Sequence, residues 1–439
     1  MIANILFAVL LGLTAWLAGT RLLRVRKSIL SGRDVLINDN SGLRWKTMIM
    51  VALGQSKMMV RPIPGILHFL VYAGFLIVNI ELLEIVIDGL FGTHRILRFM
   101  GGFYVFLIHT FEYFALAVIV ACIIFLIRRN VLRIKRFHLR EMTSWPKSDA
   151  NIILIVEILL MTAFLTMNAA DSVMIMQNST QLGLEDNGLW QLPVSRWFQD
   201  LLPDTYGQLH MIERVCWWFH IIGIFGFLVY LPHSKHLHII LSFPNVYYGS
   251  ITPKGKFKNN PVVTREVNLM INPDAGAFAA PATDSTPEKF GAKDTRDLTW
   301  KQLLDAYSCT ECGRCTSVCP ANQTGKLLSP RKIMMDTRDR AEELSGLEMK
   351  GLAMEDGKSL LGSYITEEEV WACTTCNACT DACPVNINPL GIIMDLRQFL
   401  IMEESKSPES ITGMFNNIEN NGAPWAFPAA ERLSWKNDL

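Results

Sequence analysis

The chain has 439 residues, enough for two domains. Half of its residues are hydrophobic, and 41 Lys and Arg balance 41 Asp and Glu. Zero net charge leaves no basic footprint for nucleic acid, and the long apolar runs of residues 1–240 exclude a single water-soluble globule.

Five apolar stretches are long enough to cross a bilayer as helices, at about 2–20, 64–90, 102–127, 150–176 and 209–232. The first lacks a basic start and a clear cleavage site, and its positive charges (Arg21, Arg24, Arg26, Lys27) follow it. It therefore reads as a retained anchor with its N-terminus outside rather than as a signal peptide. Residues 41–60 interleave apolar positions with Arg44, Lys46 and Lys57, which suggests an interfacial helix leading into the second span. The loop after the third span carries Arg128, Arg129, Arg133, Lys135, Arg136 and Arg140. The loop before the fifth carries Glu185, Asp186, Asp200 and Asp204 against a single Arg196. The basic loop is expected in the cytoplasm and the acidic one outside, which puts the C-terminal half in the cytoplasm.

This divides the chain into a transmembrane domain (1–243), a linker rich in Pro, Gly, Thr and Ser (244–300), a soluble domain (301–400) and a C-terminal tail for partner contact (401–439).

Burying a histidine in lipid without a partner is costly, so an intramembrane His is a candidate site. His68 lies near the cytoplasmic start of the second span, His109 in the outer half of the third and His220 in the middle of the fifth. His233, His236 and His238 follow near the cytoplasmic end of the fifth span. At roughly 100° per residue, His238 returns to the face of His220 after five turns, roughly 27 Å away. His233 and His236 fall on the opposite side and read as interfacial rings beside Lys235. Two haems stacked across a bilayer need two ligands on one face of one helix, and His220 with His238 meets that need. Cys122 and Cys216 read as packing residues.

Eight of the ten cysteines lie between 309 and 383, in two copies of one pattern. Cys309-x2-Cys312-x2-Cys315-x3-Cys319-Pro320 is followed by Cys373-x2-Cys376-x2-Cys379-x3-Cys383-Pro384. In this pattern three close thiolates hold one iron–sulfur cubane and the fourth cysteine ligates the other cluster. One [4Fe–4S] cluster is thus assigned to Cys309, Cys312, Cys315 and Cys383, and the second to Cys373, Cys376, Cys379 and Cys319. Paired zinc sites, the alternative, use two CxxC pairs across a long gap instead. Such ligation implies a reducing, cytoplasmic setting.

The segment from His220 to His238, with Pro232, Ser234 and Lys235 between, resembles the last helix of the cytochrome b (gamma) subunit of respiratory nitrate reductase. From about residue 300 the chain resembles the C-type subunit of heterodisulfide reductase, including the ending Pro424-Trp425…Pro428…Arg432…Trp435. Together the halves resemble fused E- and C-type subunits of heterodisulfide reductase-like membrane complexes, a plan shared by membrane-bound oxidoreductases for electron-transfer flavoprotein. The resemblance implies a mainly α protein, with a five-helix haem b bundle followed by a soluble α-helical bis-[4Fe–4S] ferredoxin-like domain, in a bacterial inner membrane. It implies an inner haem between His68 and His238. The position of the family's second histidine on the second span falls at Val78, which cannot ligate, so an outer haem needs His109 as the partner of His220. A single-haem protein stays open.

The implied function is an electron-transfer subunit linking a cytoplasmic partner to membrane quinone. The partner would be a CCG-domain iron–sulfur subunit, a flavoprotein, or both. Alternatives are a quinol-driven heterodisulfide-type reductase subunit and a haem-based sensor or scaffold. Glu81, Glu84 and Glu112 sit towards the outer ends of their spans, and Glu84 and Glu112 are candidates for an outer quinone site. Arg61, beside Lys57, marks a rival site near the inner haem. The bland reading is that Glu81 and Glu84 end a span and Glu112 pairs with a neighbouring helix.

Overall fold

A computed structural model describes residues 1–182, 191–253, 255–257, 259–272 and 289–437. Glu185 and Asp186 of the expected acidic loop lie outside the described residues, as do 273–288 of the expected linker. Among the described residues the fold is helical, with no strand.

In lipid a backbone has to satisfy its own hydrogen bonds, and an apolar run does so as a helix. Five helices are long and apolar enough to cross a membrane: Ile2–Ile29, Pro62–Phe91, Gly102–Val131, Trp145–Gln177 and Tyr206–His233. The second begins with Pro62 in its first turn and ends at Gly92, whose φ of 73° lets its N–H close on the Asp88 carbonyl at 2.8 Å. The third, fourth and fifth spans share a core of Phe111, Ala115, Phe164 and Leu165, with Leu160 beside them.

The first helix, α1 (Ile2–Ile29), is 28 residues long, more than the roughly 20 that span a bilayer. Its last turns dock on the soluble domain. Ser28 Oγ accepts from the Tyr307 hydroxyl at 2.9 Å and donates to the Ala341 carbonyl at 3.3 Å. The Arg33 N–H donates to the Leu298 carbonyl at 2.7 Å, and the Trp300 N–H returns a bond to the Arg33 carbonyl at 3.0 Å. The helix α2 (Ser41–Met48) exposes Trp45, and the turn after it exposes Ile49 and Met50. Arg44 does not reach outwards from it as an interfacial cation: it is buried, and its guanidinium donates to the carbonyls of Tyr247 (3.0 Å) and Gly249 (2.8 Å).

The fifth span does not run unbroken to His238. Its α-helix stops at Tyr230, because Pro232 has no N–H to continue the ladder. Two 3-10 turns follow, Leu231–His233 and Lys235–Leu237, and a new helix runs from His238 to Tyr247. The count that put His220 and His238 on one face of one helix therefore does not hold.

The soluble domain packs the helices Trp300–Tyr307, Pro330–Met349 and Pro389–Met402 around Leu303, Ile333, Ile392, Ile393 and Leu396, all 0% exposed. Thr299 with Gln302, and Thr366 with Glu369, form reciprocal capping boxes that start two of its helices. The end of the expected linker is built into this domain. The Ala292 N–H donates to the Asp395 carbonyl at 3.0 Å, and fully buried Arg340 holds Asp294 (2.8 Å) and Asp356 (2.7 Å). The amphipathic helices Pro261–Ile271 and Glu409–Asn421 keep Met270, Phe415 and Ile418 exposed.

Candidate electron-transfer site

Both cysteine loops adopt the same backbone. Glu311 and Gly313 in the first, and Thr375 and Asn377 in the second, have φ between 54° and 68°. Left-handed conformations at non-glycine residues carry strain that clusters at functional loops. They curl each loop so that its three thiols face one cavity. Proline after the fourth cysteine starts a short helix at Pro320 and turns the chain away.

Cys309, Cys312, Cys315 and Cys383 line one cavity, together with Arg314 and Arg331. Cys319, Cys373, Cys376 and Cys379 line a second, walled by Leu328, Pro330, Leu390 and Ile393. The fourth cysteine of each run has crossed to the other cavity. Among the described residues no three His, Cys, Asp or Glu side chains converge closely enough for a single metal ion. Thiols standing around a void suit a larger group. Burial pushes the thiols of Cys309 and Cys383 up to about 12 and that of Cys379 to about 11, so holding them as thiolates requires a bound cationic centre. Backbone amides already point at the sulfurs: Thr375 N–H to Cys373 Sγ at 3.4 Å, Ile387 N–H to Cys383 Sγ at 3.3 Å.

The first cavity faces the membrane domain. Lys57 Nζ donates to the carbonyls of Asp381 (3.2 Å) and Cys383 (3.3 Å). Arg314 reaches back to the carbonyls of Lys57 (2.9 Å) and Met58 (3.3 Å), and Arg61 donates to Ser317 Oγ at 2.9 Å. Arg331, fully buried, binds Glu141 (2.7 Å) and the Arg136 carbonyl (2.7 Å), tying the basic loop to the same site. The second cavity is closer to solvent: Cys376 is exposed.

Two of the predicted histidines meet where the first turns of the second span approach the helix that starts at His238. The rings of His68 and His238 lie 6.3 Å apart between centroids. His238 Nδ1 bonds the Lys235 carbonyl at 2.8 Å, while His68 Nδ1 is buried with no hydrogen-bond partner. The break at Pro232 also turns His236 inwards. Its ring stands 5.9 Å from that of His238 and 5.2 Å from Phe227, not on the opposite side as the helical count expected.

Deeper in the bundle, His220 is buried with Nδ1 on the Leu160 carbonyl at 3.0 Å and its ring against Phe164. His109 keeps a buried Nε2 without a hydrogen-bond partner. No aromatic contact joins these two rings among the described residues.

Glu84 and Glu112 belong to a polar network that their spacing in the sequence revealed only in part. Glu112 accepts from the N–H groups of Val194 (2.9 Å) and Ser195 (3.1 Å), the Ser195 hydroxyl and Asn168 Nδ2 (3.4 Å). Glu84 accepts from the Leu97 N–H and the Tyr104 hydroxyl, both at 2.8 Å. Arg95, from the loop, bridges Asp171 (2.9 Å) and Asn168 (3.0 Å). Glu81 is buried with Oε2 unpartnered.

Residues 308–387 match the family model of the 4Fe-4S dicluster domain. Over 88% of its length the chain is 28% identical to the probable iron-sulfur-binding oxidoreductase FadF of Bacillus subtilis, covering 54% of that protein. Over 93% it is 26% identical to the EtfAB:quinone oxidoreductase of Syntrophomonas wolfei, covering 56% of it. A 147-residue stretch is 31% identical to the D-type subunit of the dihydromethanophenazine:CoB–CoM heterodisulfide reductase of Methanosarcina acetivorans, over 35% of that protein. The chain thus spans about half the length of the first two relatives. No solved structure matches it. The chain is a homologue of these iron–sulfur oxidoreductases, a helical membrane protein that carries a 4Fe–4S dicluster domain for electron transfer.

Proposed function

We propose that this chain carries electrons between a cytoplasmic flavoprotein or CCG-domain partner and menaquinone, through its two clusters and b haem. The observation that carries this reading is the docking of the first cluster cavity onto the start of the second span. Arg61, hydrogen-bonded to the cluster loop, stands seven residues before His68, roughly 10 Å along the helix. The proposed orientation places the N-terminus outside and the clusters in the cytoplasm.

The histidines suit a haem. Two imidazoles on opposite faces of one iron, each nitrogen roughly 2 Å from the metal, put their ring centroids about 6 Å apart. His68 and His238 stand at 6.3 Å. The bond from His238 Nδ1 to a carbonyl leaves Nε2 as the free donor atom, as in most metal-bound histidines. His220 has the same arrangement, and the buried free Nε2 of His109 supports it as the outer partner. Haem here supplies one-electron steps between the clusters and quinone.

Quinone reduction needs two protons as well as two electrons. Glu112 is saturated by four donors and acts as the anchor of the 192–195 loop. Glu84, with the free oxygen of Glu81 one turn away, is the group we assign to an outer quinone site. A cytoplasmic site at Arg61 is the second reading, favoured by the buried, unpartnered hydroxyl of Tyr72 one turn beyond His68.

The two separate cleanly. In liposomes with a soluble quinone analogue, Glu84→Gln and Glu81→Gln are expected to slow quinone turnover at least tenfold, since each removes a proton carrier worth about 10²-fold. Haem content should stay normal. Normal turnover in both, with turnover lost in Arg61→Ala, moves the site to the cytoplasmic side.

A further inference from the structure

The two cluster cavities differ in charge. Around the first, Lys57 lies on the Cys383 carbonyl, Arg314 sits within the ligand loop and Arg61 holds the neighbouring Ser317. Arg136 packs its Cβ 3.5 Å from where a side chain on Gly313 would begin. The carboxylates of Glu141 and Glu311, near this cavity, are both paired. Glu141 pairs with Arg331 at 2.7 Å, and Glu311 with Lys235 at 2.6 Å and Arg338 at 2.9 Å. Arg61, Arg136 and Arg314 form no salt bridge among the described residues, and Arg136 Nε is buried without a partner. Burial and the charge of the nearby Arg61 push the Arg136 guanidinium down to about 10. Around the second cavity the cation at the ligands is Arg397, which bonds the carbonyls of Val370, Trp371 and Cys373 and keeps its charge, one guanidinium against the three of Arg61, Arg136 and Arg314. Lys332 nearby is taken by Asp336 and Glu369.

A cubane gains one negative charge on reduction, and nearby positive charge favours that state. Water at the exposed Cys376 works in the opposite direction, by solvating the reduced second site. Full charges held in a low-dielectric protein outweigh one wetted ligand. We propose that Arg61, Arg136 and Arg314 form a cationic collar that makes the Cys312 site the electron sink of the pair, so electrons enter at the Cys376 edge and leave towards His68. This rests on the wire proposed above and gives it a direction. One electron from a reduced flavin or iron–sulfur donor passes from the second site to the first and on towards membrane quinone, with no bond made or broken. The collar residues act as positioning charges.

The test is an EPR-monitored redox titration of the full chain in detergent. Cys376→Ser identifies the second site's signal by perturbing it. The other signal is expected at the higher midpoint. Arg61→Gln with Arg136→Gln should lower that midpoint by about tenfold in the one-electron equilibrium per charge, roughly 59 mV each, and leave the second signal in place. Arg136→Lys, which keeps the charge, should retain the wild-type value. A first-site midpoint below that of the second overturns the proposal, as does a double Gln variant with unmoved potentials. Should the double variant lose its clusters, the wild-type order of midpoints decides. Iron content well short of two cubanes in the wild type overturns the proposed wire itself, a separate and recognisable failure.

Discussion

Replacing His238 by alanine is expected to strip the inner haem while leaving both clusters in place. The proposed haem b would be held by histidine ligands and packing alone, because no CxxCH attachment motif occurs in the chain. His238 is presented for ligation by its Nδ1 bond to the Lys235 carbonyl, and its ring faces His68 at 6.3 Å. A pyridine haemochrome assay should therefore fall from about two protohaems per chain to about one. His236→Ala is the control, since that ring lies 5.9 Å from His238 but faces Phe227. Its haem content should match the wild type. If haem is lost with His236 and kept without His238, the ligand assignment is wrong. A wild-type value of about one haem per chain would remove His109 and leave His68 with His238.

The second large effect concerns Cys319. It lies four residues after Cys315 in sequence but lines the cavity of Cys373, Cys376 and Cys379. Cys319→Ser should therefore shift or abolish the EPR signal of the second cluster. The first, held by Cys309, Cys312, Cys315 and Cys383, keeps its line shape. Cys383→Ser should do the reverse. A Cys319→Ser protein that loses only the cluster of Cys309, Cys312 and Cys315 would show that the fourth ligands are not crossed.

The parts of this molecule set by local chemistry were legible in the sequence. Spans show as apolar runs because lipid demands a self-satisfied backbone, and four of the five fall within about five residues of the expected positions, while the first runs on to Ile29, past its expected end near residue 20. The cysteine spacing is equally local, and so the two cavities contain the expected sets. What failed was geometry that depends on a break. Pro232 ends the fifth span's helix, so His238 reaches His68 from a new helix rather than from five regular turns beyond His220. The same break brings His236 inwards.

Long-range pairings left no periodic signal. The burial of Arg44 against Gly249, the clasp of Arg95 on Asp171 and the saturation of Glu112 by residues 194 and 195 each join segments far apart in the chain. A composition that reads as linker concealed residues 289–300, whose backbone is bonded into the cluster domain.

The most direct test of the electron path is reoxidation by a soluble quinone analogue after full reduction with dithionite. The EPR signals of the clusters and the optical band of the haem are followed together after mixing. A path through His68 and His238 predicts that clusters and haem reoxidise in step in the wild type. In His238→Ala the clusters should still reduce but then stay reduced, slowed by at least about tenfold, because the carrier between them and the membrane is missing. Clusters that reoxidise at the wild-type rate in His238→Ala would contradict it, and electrons would then reach quinone without passing that pair.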